Sequence, residues 1–294
     1  MSDTSNSDNT ALRVGVLGVG TMGAAIARSL LRSGFGVTVW NRSPEKTKPL
    51  VDAGARAATD PAEAVRDADV VLTMVFDIDA VLEVAQHFLP AMRADAIWMQ
   101  SSTIGAEGMT TVGTLASARL IAVVDAPVLG TKGPAEHAAL TVLASGDEAA
   151  VAALRPVFDA IGSKTVVVGD RLGAASDLKL VCNTWVASLT AGVAQSFALA
   201  RGLGIDPTLF LDSIEGSASD SPYAHIKGTT LLEGARAPQF ALEGILKDLR
   251  LAQAAVSSSH AFMYLDALEQ VYAAASAEGH GGEDIAWVYD AIDA

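Results

Sequence analysis

Three glycines at fixed spacing, in Gly18-Val19-Gly20-Thr21-Met22-Gly23, follow directly on the apolar run Val14-Gly15-Val16-Leu17 and open an amphipathic stretch from Met22 to Arg32. A glycine at the first position permits a tight turn, one at the second lets a backbone approach a pyrophosphate, and one at the third lets a helix pack closely on a strand. The first turn of the helix then offers free N–H groups to an anion. The spacing alone is weak evidence, because glycine-rich loops arise wherever a chain turns sharply. With a strand before it and a helix after it, it predicts a dinucleotide site, with Gly18, Val19, Gly20, Thr21 and Met22 as contacts. Which nicotinamide cofactor binds is read at the end of the second strand, in Trp40-Asn41-Arg42-Ser43. Asn41 stands where a carboxylate would hold the ribose of NAD and repel a 2′-phosphate. Arg42 can pair with that phosphate or stack on adenine, and the Ser43 hydroxyl is a further donor, so NADPH/NADP+ is the expected cofactor. The plainer alternative is a solvated Arg42, with Ser43-Pro44 starting the next helix.

Short apolar runs alternating with longer amphipathic stretches must position these residues. After Val14–Leu17 and Val37–Trp40, strands are expected at Val70–Met74, Ala96–Met99, Leu120–Val124, Leu140–Leu143 and Thr165–Val168. Val75, just past the third of these, joins the expected cofactor contacts. Beyond Gly169 the strand pattern stops, and Ala174 to Gly202 reads as one helix rich in Ala, Leu and Val. At ~1.5 Å per residue it would run ~40 Å, too far for one small sheet. The expected fold is therefore α/β, an N-terminal Rossmann domain over residues 13–172 with a second, all-α C-terminal domain over 173–294. Residues 1–12, polar and without a basic start or apolar stretch, are expected to be a disordered tail rather than a signal peptide.

Composition narrows the function classes. Among 294 residues the acidic ones outnumber the basic by 34 to 20, and no Lys/Arg run exists to neutralise a row of phosphates, which argues against nucleic-acid binding. No apolar stretch reaches the ~20 residues of a membrane span. A single cysteine, Cys182, has no intramolecular disulfide partner, and no Cys/His spacing suggests a metal, so a reducing, cytoplasmic setting is expected. His87, His137, His225, His260 and His280 are read as ordinary solvated or packing residues. The apolar surface of the long helix exceeds what one short helical domain can cover and predicts a homodimer.

Five segments, in order, resemble the β-hydroxyacid dehydrogenases, the family of 3-hydroxyisobutyrate dehydrogenase, tartronate semialdehyde reductase and the glyoxylate/succinic semialdehyde reductases. They are Gly18 to Gly23, Ser101-Ser102-Thr103-Ile104, Asp125-Ala126-Pro127-Val128 with Gly130, Lys179 with Asn183, and Lys247-Asp248-Leu249. The resemblance covers nearly the whole chain from Arg13. It implies reduction of a small carbonyl compound with Lys179 and Asn183 as the catalytic pair. Their spacing of four places both on one helical face, within reach of one substrate oxygen. An ammonium there can stabilise a developing alkoxide and protonate it, and desolvation would lower its pKa. The resemblance also puts Ser102 at the substrate, Thr103 at the nicotinamide and Lys247 against the cofactor. Alone, Ser102 and Thr103 would read as helix caps and Lys247 as a solvated surface residue.

The substrate loop departs from the family pattern. Where most members have Ser-Gly-Gly, this chain has Leu129-Gly130-Thr131, followed by Lys132-Gly133-Pro134-Ala135-Glu136. The later segment resembles the glyoxylate/succinic semialdehyde reductase branch, but Leu129 replaces a hydroxyl donor to the substrate carboxylate. Two readings stand: backbone N–H groups at Gly130 and Thr131, with Lys132 nearby, still hold an anion, or the pocket is apolar. The second leads to an imine reductase, a sister group usually lacking the lysine, with Trp185, Phe240 and Met263 as pocket or core residues.

Overall fold

The structure is a computed structural model describing residues 12–256 and 262–293, and it divides into two compact units. One runs through Ser102 and from Gly108 to Ala175. The other comprises Thr103–Glu107 and the chain from Ser176 onward. Most of the tail expected at residues 1–12, and His260, lie outside the described residues.

The first unit is built on one sheet. Its strands are β1 (Arg13–Leu17), β2 (Gly36–Trp40), β3 (Arg56–Ala57), β4 (Val70–Thr73), β5 (Ile97–Gln100), β6 (Ala122–Asp125), β7 (Val128–Leu129), β8 (Leu140–Gly146) and β9 (Gly162–Gly169). The order is β3-β2-β1-β4-β5-β6-β8-β7, with β9 also paired to β8. From β3 to β6 every pairing is parallel, while β8 runs antiparallel to β6 and β7. Val14, Val16 and Leu17 on β1, and all four residues of β4, are buried, as expected of strands covered on both faces. The chain leaves β1 to form β2 on one side and later returns to form β4 on the other. The carboxyl end of β1 is thus the topological switch point, where such sheets bind ligands. The Thr21–Arg32 helix follows at once, burying Ala25, Ile26, Ser29 and Leu30 on one face.

Two local details differ from the expected strands. Leu120 is not in β6: it is exposed in a left-handed turn, φ 57°, and the strand starts at Ala122. The two-residue strand β7 runs into the first residue of the expected substrate loop and is held by pairing to β8, where Leu129 faces Thr141.

In the second unit the 29-residue helix Ala174–Gly202 contributes Leu180, Ala187, Ala194 and Phe197 to a buried cluster. Leu242, Ile245, Leu246 and Leu249 from the Leu242–Ala255 helix join it, with Leu265, Leu268 and Tyr272 from the Met263–Ala277 helix. A fully buried ion pair joins Lys227 Nζ to Asp284 Oδ1 at 2.7 Å. Asp284 also accepts from the Gln239 and Ala286 N–H groups, the satisfaction a buried carboxylate requires. Trp185 and Met263 belong to neither core nor enclosed lining, being 63% and 69% exposed, and Phe240 is half-buried. No helix among the described residues is long and apolar enough to cross a membrane.

Candidate active site

At the switch point the three glycines differ in what demands them. Gly18 has φ 96°, and a Cβ there would lie 2.3 Å from the Met74 carbonyl oxygen and 2.8 Å from Val75 Cγ1. A Cβ on Gly23 would lie 2.0 Å from the Gly18 carbonyl oxygen, so the helix packs on its own entry loop only because that residue is glycine. Around Gly20 no atom lies within 4 Å of where a Cβ would stand, so nothing inside the protein requires glycine there. Gly20 is the N-cap of the Thr21–Arg32 helix, makes no side-chain cap bond, and has no acidic residue in the turn after it. The open approach, the helix N-terminus and the lack of a carboxylate fit the pyrophosphate of a dinucleotide.

Asn41 has a role beyond lacking a charge. Its Oδ1 accepts from the Val19 N–H at 3.0 Å and its Nδ2 donates to the Ser43 carbonyl at 3.1 Å, tying the glycine loop to the end of β2. Arg42 is exposed and makes no hydrogen bond or ion pair among the described residues. Ser43 precedes the short helical turn Pro44–Thr47 but does not cap it with its side chain.

Ser102 is buried in a polar network at the ends of β4 and β5. Its Oγ accepts from the Val75 N–H at 2.9 Å, its N–H donates to Gln100 Oε1 at 2.8 Å, and Gln100 Nε2 donates back to the Ser102 carbonyl at 2.8 Å. Thr73 completes the network, accepting from the Trp98 indole at 2.9 Å and donating to Gln100 at 3.2 Å. The Ser102 hydroxyl therefore fixes the Val75 backbone and also reaches the Thr73 carbonyl at 3.4 Å.

In the Leu129–Thr131 loop, Leu129 is half-buried and Gly130 has φ 124°. A Cβ on Gly130 would meet Leu140 Cδ2 at 2.8 Å and Pro134 Cβ at 3.1 Å, so the backbone conformation and packing together already explain this glycine. Lys132 Nζ lies 3.9 Å from Glu136 Oε1, which Arg28 also approaches at 3.9 Å. His137 is exposed and bonds the Gly133 carbonyl.

The second unit brings four polar residues together in a mostly apolar setting. Lys179 and Asn183, one turn apart, are both buried. Asp248, also buried, accepts from Asn183 Nδ2 at 2.5 Å and lies 2.8 Å from Lys247 Nζ. Lys247 is half-buried rather than solvated and donates to the Thr103 carbonyl at 2.5 Å. Burial pushes the Lys179 ammonium below the ordinary lysine range. The Asp248 carboxylate opposes that shift, and the like charge of Lys247 adds to it. A lysine so placed can give up its proton more readily than a surface lysine. The sequence motif Lys247-Asp248-Leu249 includes Asp248 but gives it no role, although its register carries the information: three residues after Ile245 and four before Ala252, it falls on the buried face of its helix.

His280, expected to be a solvated or packing residue, is partly buried among charged groups. It contacts Glu283 at 2.8 Å and Asp290 at 3.3 Å. The Arg236 guanidinium bonds both carboxylates and stacks on Trp287 at 3.6 Å. That cation already meets the cluster's negative charge.

A parallel sheet with a glycine loop at its switch point, joined to a helical unit carrying a buried lysine, defines a nicotinamide-dependent oxidoreductase. Residues 13–169 match the family described as the NAD binding domain of 6-phosphogluconate dehydrogenase. Residues 173–292 match the one described as NAD-binding of NADP-dependent 3-hydroxyisobutyrate dehydrogenase. The chain belongs to the β-hydroxyacid dehydrogenase family and is an NAD(P)-dependent enzyme of that family. It is 31% identical to glyoxylate/succinic semialdehyde reductase 2, chloroplastic, of Arabidopsis thaliana, over 96% of this chain and 79% of that protein. A solved 3-hydroxyisobutyrate dehydrogenase from Salmonella typhimurium is 28% identical, with a TM-score of 0.86 over 95% of this chain and 99% of that one. An imine reductase from Myxococcus stipitatus, solved with NADP+, shares the fold at 24% identity and a TM-score of 0.67, over 95% and 99% of the two chains.

Proposed function

We propose that this enzyme reduces a small aldehyde or keto acid with NADPH, using Lys179 as general acid. The observation that carries the reading is the buried Lys179 with its ammonium destabilised, one turn from Asn183 and beside Asp248. When bound, the nicotinamide supplies the two electrons of the reduction as a hydride from C4. The Lys179 ammonium stabilises negative charge as it grows on the carbonyl oxygen and then passes it a proton from Nζ. Asn183, held by Asp248, orients that oxygen or the lysine. Gly18, Val19, Gly20, Thr21 and Met22 hold the pyrophosphate, with Val75 and Thr103 near the nicotinamide and Lys247 toward the cofactor. Ser102 acts at the substrate end, and the Leu129–Thr131 loop takes the remainder of the substrate. The residue ranges 13–172 and 173–294 serve as the cofactor and substrate domains.

Preference for NADPH rests on Asn41, which keeps a negative charge away from the 2′-phosphate, and on the unpaired, exposed Arg42. The relative's printed name supports glyoxylate or succinic semialdehyde as substrates. Leu129 in place of a hydroxyl favours a second reading, reduction of an imine. One experiment addresses both points: NADPH and NADH oxidation with glyoxylate, succinic semialdehyde and a cyclic imine, by the native enzyme and Arg42→Ala. Turnover of an aldehyde with NADPH strongly preferred is expected, with Arg42→Ala losing ~1.5–3 kcal/mol of NADPH binding as a charge-assisted bond disappears. Turnover of the imine alone, or equal use of both cofactors, would contradict the reading.

The enzyme is further proposed to be a homodimer through the helical unit. Val181, Trp185 and Leu199 are exposed along the Ala174–Gly202 helix, with Leu203 just past its end, and exposed apolar side chains of this kind mark association surfaces. Light scattering should give about twice the 30.2 kDa chain mass, and a monomer at micromolar concentration would refute it.

A further inference from the structure

The Thr21–Arg32 helix carries the glycine loop at its N-terminus, and its far end is committed elsewhere within the same unit. Ser29 in its last turns is 1% exposed. Its hydroxyl donates to the Ala135 carbonyl at 2.9 Å and accepts from Arg32 Nη2 at 2.8 Å, and the same Arg32 nitrogen donates to the Glu136 carbonyl. Ala135 and Glu136 close the five-residue helix Lys132–Glu136, so these bonds satisfy carbonyls that a helix end leaves without partners. A helix this short does not hold itself together. Its position is set by the Ser29 and Arg32 bonds, by the burial of Ala135 and by the approach of Arg28 to Glu136 at 3.9 Å. At its other end the helix begins directly after Thr131. Pro134 lies so close to Gly130 that a Cβ there would stand 3.1 Å from it. Displacement of the short helix must therefore displace Gly130 and Thr131, the part of the loop beyond the pairing of Leu129 to β8.

We propose that Ser29, backed by Arg32, is a positioning residue for substrate: by capping the Lys132–Glu136 helix it sets the place of Gly130 and Thr131 in the Leu129–Thr131 loop. The inference rests on the reading that this loop contacts substrate. Ser29 lies nine residues from Gly20, or ~13 Å along the helix axis at 1.5 Å per residue, so its effect on substrate should separate from cofactor binding. No other role assigned to the Thr21–Arg32 helix predicts that separation.

The test uses the full chain, with the best aldehyde of the substrate panel, and records substrate KM, kcat and the NADPH Kd from fluorescence titration. Ser29→Ala leaves a buried carbonyl unpaired. It should raise substrate KM roughly tenfold, with a smaller change in kcat and no change in NADPH Kd. Ser29→Thr, which keeps the hydroxyl, should restore KM. Arg32→Leu removes the donor to Glu136 at an exposed position and should raise KM in the same direction, even if Ser29→Ala does not fold. Leu129→Ala probes the loop itself. If it leaves KM untouched, the loop does not contact substrate, and the underlying reading falls together with the inference. If Leu129→Ala moves KM while Ser29→Ala and Arg32→Leu do not, or if they weaken NADPH binding equally, the inference alone is overturned.

Discussion

Lys179→Ala is expected to lower kcat for carbonyl reduction by at least ~10²-fold, the usual scale of a lost general acid, with NADPH affinity unchanged. The alkoxide would form without the Lys179 ammonium to stabilise it and protonate it. Lys179→Arg should not rescue the rate, because a guanidinium keeps its proton and has a different shape. Unfolding would not account for the loss. Burial already lowers the pKa of Lys179, so between that value and the ordinary lysine pKa of ~10.4 the unfolded chain binds more protons than the folded one. The residue's cost to stability is thus full below its folded-state pKa and shrinks as pH rises through that window. Lys179→Ala should show no loss of Tm from removing this charge, beyond what the small cavity costs. A variant with near-native kcat would leave Lys179 structural and favour the imine reading, in which the substrate can arrive already protonated.

Asp248→Asn should be the second large effect, on stability and on pH dependence together. Asp248 is buried, within 2.8 Å of Lys247 and bonded to Asn183. Replacing its charge leaves Lys247 without its buried counter-ion, at a cost of roughly 3 kcal/mol, readable as a drop in denaturation midpoint. The carboxylate also favours the Lys179 ammonium, so its loss should lower the pKa of Lys179 further. Reduction requires the ammonium, and its alkaline limb should therefore move to lower pH. If Asp248 were only a structural partner of Lys247, stability would fall while the limb stayed in place.

The parts of this enzyme that could be read from its sequence are those written within a few residues. The glycine loop states its turn, its phosphate approach and its helix packing in six positions, and the structure gives a packing reason for Gly18 and for Gly23 while leaving the space around Gly20 open. The α/β half and the helical half follow from a change in apolar periodicity near Gly169. Bonds between distant segments were not legible. The Asn41 grip on Val19 spans 22 residues, the Ser102 bond to Val75 spans 27, and the Asn183 bond to Asp248 spans 65. Each depends on which strands and helices become neighbours. Leu120 was misread for a related reason: its apolar character suggested a strand, whereas the turn before β6 holds it in a left-handed conformation.

The most direct test of the general-acid role is kcat/KM for aldehyde reduction as a function of pH, in the native enzyme and in Lys179→Ala. The native profile should fall on the alkaline side with an apparent pKa below the ~10.4 of a free lysine, and the residual rate of Lys179→Ala should lack that limb. An alkaline limb that persists unchanged in Lys179→Ala would contradict the account, because another group would then be supplying the proton.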